Sequence, residues 1–76
     1  MKVRTVNELE IEEIGVVTKI IGEETIKRRL LDLGLIEGTD IKPVLISPSG
    51  DPRAFEFRGS LIAIRKEDAK NIMIKV

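Results

Sequence analysis

Residues 29–39 read Arg-Leu-Leu-Asp-Leu-Gly-Leu-Ile-Glu-Gly-Thr, and this stretch decides where the longest helix of the chain stops. A helix of about two to three turns is predicted over residues 23–33. Its evidence is Ile26, Leu30 and Leu33, which are spaced at i, i+4 and i+7 and therefore share one face. Apolar residues at that spacing are typical of a helix that packs one stripe against a core.

The end of this helix is predicted by its glycine. Gly34 follows the last apolar position and suits the left-handed conformation that closes many helices, because glycine has no Cβ to clash there. Leu35 would then contact Leu30 one turn back, as in the Schellman ending. Gly38 lies in a turn where a positive φ is again expected. The residues interpreted as structural in this motif are Leu30, Leu33, Gly34, Leu35 and Gly38.

Short runs of β-branched and alternating apolar residues fill the rest of the chain and predict strands. Gly15 is predicted to mark a β-bulge, and Gly59, also interpreted as structural, separates two later runs. Pro43 cannot donate to a ladder, so its strand is predicted to be a sheet edge or to be bulged there. Brief helical turns are expected at residues 5–9 and 66–71. The predicted strands cover residues 14–21, 40–47, 53–58, 61–65 and 72–76.

These elements together predict a fold class. About five short strands, one long helix and two helical turns in 76 residues indicate one mainly β domain over residues 1–76. We expect a small SH3-like barrel, since closing a short sheet removes edges that so small a domain could not otherwise cover. An OB-fold is the alternative, but its helix belongs between the third and fourth strands, whereas the long helix here follows the first.

The residue types that the sequence lacks exclude most kinds of enzyme. The chain has no His and no Cys, so it lacks the commonest general base, the thiolate nucleophile and the usual ligands of zinc and iron–sulfur clusters. Neither a Ser-His-Asp triad nor a zincin motif can be built. We therefore expect a binding module rather than an enzyme, with no cofactor and no metal site.

Charge and hydropathy narrow the range of partners. The chain has 13 Lys and Arg against 13 Asp and Glu, so the positive charge that drives nucleic-acid binding is missing. Only 3% of the residues are aromatic, which also disfavours base stacking. No apolar run approaches the roughly 20 residues of a membrane span, and no apolar leader follows the first residues, so we expect a cytoplasmic protein.

An ordered set of short motifs resembles one known family. The motifs are Arg-Leu-Leu-Asp-Leu-Gly-Leu at 29–35, Glu-Gly-Thr at 37–39, Ser-Pro-Ser-Gly-Asp-Pro at 47–52, Arg-Gly at 58–59 and Ile-Ala-Ile-Arg at 62–65. Each motif alone is common, but the ordered set is similar to the ferrous iron transport protein A family, FeoA. The chain departs from the family's pattern at several positions. Ser49 and Arg53 stand where apolar residues are usual, Ile11-Glu12 stands where Pro-Gly is frequent, and Pro43 stands where a strand-forming residue is usual.

The resemblance implies an SH3-like barrel that acts as an accessory or adaptor protein of a ferrous iron transport system. The implied partner is the FeoB membrane transporter with its cytosolic GTPase region, so the chain would meet the membrane only through that partner. The family has no settled enzymatic activity. Two alternatives stay open: an isolated SH3-like regulatory domain of the type found at the C-terminus of iron-dependent repressors, and a small nucleic-acid-binding barrel.

The candidate partner-binding residues lie on the long helix, just after it, and on one loop. Leu31 is off the apolar stripe of the helix and is therefore expected to be exposed. The loop at residues 48–53 is a candidate because binding residues concentrate on loops held by a rigid scaffold. The bland interpretation of both regions is a solvated helix face and an ordinary turn. The candidates are Lys27, Leu31, Ile36, Pro48, Asp51 and Pro52.

Two further features carry expectations. Glu8, Glu10, Glu12 and Glu13 form an acidic stretch, which is interpreted as a solvated edge because its spacing is unlike that of a calcium loop. The strand at residues 40–47 is the expected sheet edge, and a weak homo-oligomer would form by pairing along it.

Overall fold

The computed structural model describes residues 3–76, and Met1 and Lys2, at the start of the predicted domain, lie outside them. None of the helices among residues 3–76 is long and apolar enough to cross a membrane. The strands are β1 (Val3–Thr5), β2 (Gly15–Ile20), β3 (Asp40–Ile46), β4 (Arg53–Phe57), β5 (Ser60–Ile64) and β6 (Ile72–Lys75). The helices are α1 (Glu24–Asp32) and α2 (Lys66–Ala69), and a 3-10 turn covers Val6–Glu8.

All strand pairs are antiparallel, in the order β1-β6-β2-β3-β4-β5. The prediction of a mainly β domain with one long helix and short helical turns is confirmed. Residues 3–76 form six strands rather than about five, because the three residues of β1 pair with β6. So short a strand leaves no alternation in the sequence. Within residues 3–76 the hydrogen-bonded order is open, with β1 and β5 at its ends.

One apolar core holds these elements together. Phe55 is its largest side chain and has no exposed surface. Ile26 of α1 packs against the core, so α1 lies over the sheet on the face that its spacing predicted. The buried apolar residues are Val6, Leu9, Val17, Leu30, Leu35, Ile41, Phe55, Phe57, Ile64, Ala69, Ile72 and Ile74.

Strand β3 lies between β2 and β4 in the strand order, so the prediction that residues 40–47 form an edge is wrong for the strand as a whole. Asp40 and Ile41 pair with β2 on one side, and residues 42–46 pair with β4 on the other. The prediction of a bulge is confirmed, because the register with β4 shifts between Pro43 and Leu45. The shift lets a proline sit in an internal strand, where its missing N–H would otherwise interrupt the ladder. The Pro43 carbonyl also accepts the Glu12 N–H at 2.8 Å.

The sequence predicted a bulge at Gly15, and this prediction is wrong. The register shift in β2 lies between Val17 and Lys19 instead. Gly15 is buried, and a Cβ at this position would lie 3.1 Å from Ile74 Cδ1 and 3.2 Å from Leu9 Cδ1. A Cβ here would therefore crowd two core side chains, which favours glycine at this position.

The connection between β4 and β5 is a two-residue turn of Arg58 and Gly59, whose φ angles are +52° and +78°. Positive φ at both central residues is the mark of a type I′ turn, which matches the twist of the flanking strands. Gly59 has the structural role that was predicted for it, since glycine adopts this conformation without strain. Arg58 adopts the same left-handed conformation at a cost in conformational energy, because it has a side chain.

Candidate interaction surface

Helix α1 ends in the Schellman motif that the sequence predicted. The Gly34 N–H donates to the Leu31 carbonyl at 2.9 Å, and the Leu35 N–H donates to the Leu30 carbonyl at 3.3 Å. Gly34 has a φ of +100°, and Leu30 and Leu35 are both buried. These bonds satisfy carbonyls that the helix leaves unpaired, and they fix the direction in which the chain leaves it.

Three large apolar side chains around this helix end face solvent. Leu31 is 44% exposed and Ile36 is 47% exposed, so the expected exposure of Leu31 is confirmed. Leu33 was predicted to share the buried stripe, but it is 38% exposed. Leu33 is the C-cap residue at the end of the apolar stripe, so no further turn of the helix follows to cover its side chain.

Leu31 borders a shallow groove on the outer side of α1. The groove has a volume of about 290 Å³ and is lined by Glu24, Lys27, Arg28, Leu31 and Asp32. Both signs of charge are present, and the Lys27 Nζ lies 4.0 Å from Glu24 Oε1. An apolar side chain ringed by paired charges resembles the centre and rim of many protein interfaces.

Ile36 borders a second groove after the helix end. It has a volume of about 510 Å³ and is lined by residues 36–40 and by Arg58 from the β4–β5 turn. A Cβ at Gly34 would lie 3.2 Å from Arg58 Cδ, so the arginine stem rests against the glycine of the helix end. Arg58 was not among the candidate residues. Its one signal in the sequence is the Arg-Gly pair between two alternating runs.

The candidate loop at residues 48–53 stabilises the start of α2. One Asp51 carboxylate oxygen, Oδ1, accepts the Lys66 N–H of α2 at 2.7 Å, and Oδ2 lies 3.9 Å from Arg65 Nη1. Asp51 therefore caps the first turn of α2 from a distant part of the chain. Pro48 is exposed and Pro52 is half-buried.

Replacing Asp51 by alanine is expected to destabilise the chain by about 0.5–2 kcal/mol, the usual cost of removing a helix cap. The measurement is the free energy of unfolding from urea denaturation. Asp40→Ala is the matched control, because Asp40 is exposed and should change that free energy by less than about 0.5 kcal/mol. Equal stabilities for the two variants would show that Asp51 does not cap α2.

Arg53, which departs from the family's pattern, also has an internal role. Its guanidinium donates to the Asn7 carbonyl at 3.0 Å and to the Leu9 carbonyl at 2.8 Å. It also lies 5.7 Å from the centre of the Phe55 ring, within the range of a cation–π contact. Arg53 thus fastens the segment before β2 to β4, and sequence reasoning had no local signal for this.

The structure does not bring the two candidate regions into direct contact. Within residues 3–76, no hydrogen bond or ion pair joins residues 27–36 to residues 48–53. Each is joined to α2 instead, the first by Arg29 to Asp68 at 2.8 Å and the second by Asp51 to the Lys66 N–H. The helix-end region, defined as Lys27, Leu31, Ile36 and Arg58, is called the α1 surface below.

The acidic stretch before β2 is engaged in local contacts. Glu8 accepts the Thr5 N–H at 3.1 Å, and Glu12 pairs with Lys42 at 3.3 Å. Glu13 accepts the Glu10 N–H and an Arg4 N–H, both at 2.9 Å, and these bonds lower the pKa of Glu13. Among residues 3–76 no three acidic side chains converge as metal ligands would.

The lowered pKa of Glu13 predicts a pH dependence of stability. A carboxyl group whose pKa is lower in the folded state adds stability above its ordinary pKa of 4.5. That stability is lost as the pH falls through the folded-state pKa. At neutral pH the urea concentration at the midpoint of unfolding should therefore be higher for the wild-type chain than for Glu13→Gln. This difference should shrink as the pH falls. Glu10→Gln is the control, and a difference independent of pH would contradict the assignment.

A family comparison and several solved structures identify one family. The chain matches the FeoA domain family over residues 4–76. A FeoA-like protein of Clostridium acetobutylicum has the same fold with a TM-score of 0.92 and 36% identity, covering 100% of this chain and 88% of that one. The zinc-complexed FeoA of Stenotrophomonas maltophilia, described as a prokaryotic SH3 domain protein, gives a TM-score of 0.82 and 27% identity over 93% of this chain and 88% of that one.

One curated relative is much longer than this chain. It is the Fe(2+) transport protein A/Fe(2+) transporter FeoB fusion protein of Porphyromonas gingivalis, which is 26% identical over 70 residues. The match covers 92% of this chain but only 8% of the fusion protein. The SH3-like fold predicted from the sequence is confirmed by the solved relatives. This chain belongs to the FeoA domain family of ferrous iron transport systems.

Proposed function

We propose that this chain is a cytoplasmic adaptor that binds the cytosolic part of a FeoB-type ferrous iron transporter and regulates its assembly or its GTPase-linked activity. The observation that carries the proposal is the fusion relative, in which a FeoA part and a FeoB transporter share one polypeptide. Joining two domains in one chain raises their effective concentration to about millimolar levels, which favours domains that act in contact. A separate chain needs a docking surface of its own to do the same.

The α1 surface supplies such features. Leu31 and Ile36 are nearly half exposed, and each borders a groove beside the rigid Schellman end of α1. Lys27 and Arg58 add positive charge next to these apolar side chains. Arginine is enriched among the residues that contribute most binding energy at interfaces, and a partner that covers the exposed apolar side chains beside Arg58 removes them from water.

The loop at residues 48–53 is proposed as a secondary contact. Pro48 is exposed at its tip, whereas the Asp51 carboxylate is occupied by the N–H of Lys66. Asp51 would then contribute by holding the loop, and Pro48 and Pro52 would provide the contact itself. This division assigns a larger share of the binding energy to the α1 surface than to the loop.

Amide chemical-shift mapping tests the proposal residue by residue. The isotope-labelled chain is titrated with the unlabelled cytosolic region of a FeoB-type transporter, and the backbone amide signals are followed. The proposal expects the largest shifts in residues 27–36 and around Arg58, with smaller shifts in residues 48–53. Shifts confined to residues outside these segments, for example around Leu45, would overturn the α1 surface as the docking site.

A further inference from the structure

Strand β5 is an edge with a free side. Among residues 3–76 its hydrogen-bonded neighbour is β4 alone. Its sequence is Ser-Leu-Ile-Ala-Ile, which contains no charged residue and no proline. Edge strands usually carry a lysine, a proline or a bulge that prevents pairing with another chain, and β5 has none of these. It is therefore open to pairing, unlike β3, where the sequence had placed the edge.

The register of the β4–β5 hairpin identifies the backbone groups on that free side. Phe57 pairs with Ser60 across the two-residue turn, so these two residues exchange N–H and C=O bonds. The bonded positions then alternate along the strand, and Ser60, Ile62 and Ile64 direct their backbone polar groups toward β4. Leu61 and Ala63 direct theirs away from the sheet. Two N–H donors and two C=O acceptors therefore face outward.

We propose that two copies of this chain associate by antiparallel pairing of their β5 strands around a two-fold axis at Ile62. In this register Leu61 of each copy lies opposite Ala63 of the other. Both residues carry outward polar groups, so each Leu61–Ala63 pair exchanges two backbone hydrogen bonds. The dimer gains four such bonds, and the two six-stranded sheets become continuous.

The side chains suit a second copy as the occupant. Leu61 is 60% exposed and would lie beside the small Ala63 of the other copy, and the next residue across the sheet in that row is Ala54, also small. An isologous contact requires this kind of self-complementarity, a large residue opposite a small one in both directions. The zero net charge of the chain adds no long-range repulsion between copies.

The charged residue that follows β5 meets a like charge in the dimer. Arg65 would fall beside the turn of the other copy, which carries Arg58, and Asp51 of its own chain, 3.9 Å from Arg65, offsets this repulsion as a counter-ion. The α1 surface is built on other elements, apart from Arg58, so self-association and transporter binding can be tested independently. A dimer of this kind would present two α1 surfaces to its surroundings.

Sedimentation velocity over a range of concentrations up to millimolar tests the dimer with a matched pair of variants. Leu61 and Leu45 are both exposed leucines, at 60% and 61%, but Leu45 lies on β3, away from the proposed β5 pairing. The wild-type chain and Leu45→Lys should shift from 8.5 kDa toward twice that mass as concentration rises. Leu61→Lys should stay monomeric, because it places a charge at the centre of the pairing.

Two results would overturn the proposal. The first is a wild-type chain that stays monomeric at every concentration. The second is a dimer that Leu45→Lys disrupts as strongly as Leu61→Lys does, since that would indicate stacking of sheet faces rather than pairing of edges. An extended segment of a different protein as the sole occupant of the edge would give the first result.

Amide hydrogen exchange distinguishes strand pairing from other dimers. The Leu61 and Ala63 amides should exchange more slowly as concentration rises, whereas the Ile62 amide, already bonded to β4, should not respond. Ala63→Pro removes the outward N–H without touching the β4 ladder and should abolish the mass shift. Concentration-independent exchange at Leu61 and Ala63 in a sample that dimerises would exclude β5 pairing.

Discussion

The Leu31→Asp variant is expected to bind the cytosolic region of a FeoB-type transporter about tenfold or more weakly than the wild-type chain, a change of at least about 1.4 kcal/mol. Leu31 is 44% exposed beside the paired charges of Glu24 and Lys27, so a partner that covers it removes water from a large apolar group. An aspartate there would have to be desolvated on binding without a matched partner. Titration calorimetry measures the change.

The control for this variant is Leu45→Asp, which makes the same substitution at an exposed leucine outside the α1 surface. It should leave the affinity within a factor of about two, as exposed residues outside an interface do. Thermal denaturation checks that both variants fold. Equal affinities for Leu31→Asp and the wild-type chain would contradict the assignment of the docking surface to α1.

The Phe55→Ala variant is expected to lose about 3–5 kcal/mol of folding free energy. Phe55 has no exposed surface and is the largest fully buried side chain, so its removal opens a cavity in the centre of the core. A domain of 76 residues has a total stability of only about 4–11 kcal/mol. The variant should therefore lose a large share of its stability, and urea denaturation followed by circular dichroism measures the loss.

Phe55→Leu is the control for this prediction, because it keeps most of the buried volume and should cost less than half as much. Both variants lose the contact between the ring and the Arg53 guanidinium, which lies 5.7 Å from the ring centre, so this contact does not change the difference between them. A Phe55→Ala variant as stable as Phe55→Leu would mean that the core closes around the missing ring.

The features that could be predicted from the sequence are those set by neighbouring residues. The end of α1 depends on Gly34 and Leu35, which lie within one turn of it, so its hydrogen bonds followed directly from the pattern. The Arg58–Gly59 connection is equally local. The predicted burial of Leu33 was wrong. Leu33 fits the spacing of the apolar stripe, but it is the C-cap residue, and no further turn of α1 follows to cover its side chain.

The order of the strands could not be read in this way. Pro43 suggested an edge, but a bulge accommodates the proline and lets β3 pair on both sides. Whether a strand is internal depends on which distant segments reach it, and hydrophobic alternation does not carry that information. The true edge, β5, looked like any other alternating strand.

Among residues 3–76, contacts between distant residues give the loop at residues 48–53 internal partners that the α1 surface lacks. Asp51 belongs to a loop that is rich in turn residues, yet its carboxylate caps a helix 15 residues away. Arg53 reaches carbonyls 44 and 46 residues earlier. Sequence spacing alone cannot distinguish such internal partners from external ones, so the loop and α1 appeared as equal candidates. The geometry favours Leu31 and Ile36 because their exposed area has no internal partner of this kind.

One calorimetric titration tests most directly whether this chain binds the transporter. The wild-type chain is titrated into the purified cytosolic region of a FeoB-type transporter, without nucleotide, with GDP and with a non-hydrolysable GTP analogue. We expect the wild-type chain to bind the transporter region saturably in at least one nucleotide state. Leu31→Asp should abolish or strongly weaken this binding, and Leu45→Asp should retain it. No measurable binding in any of the three states, with the chain shown to be folded, would contradict it.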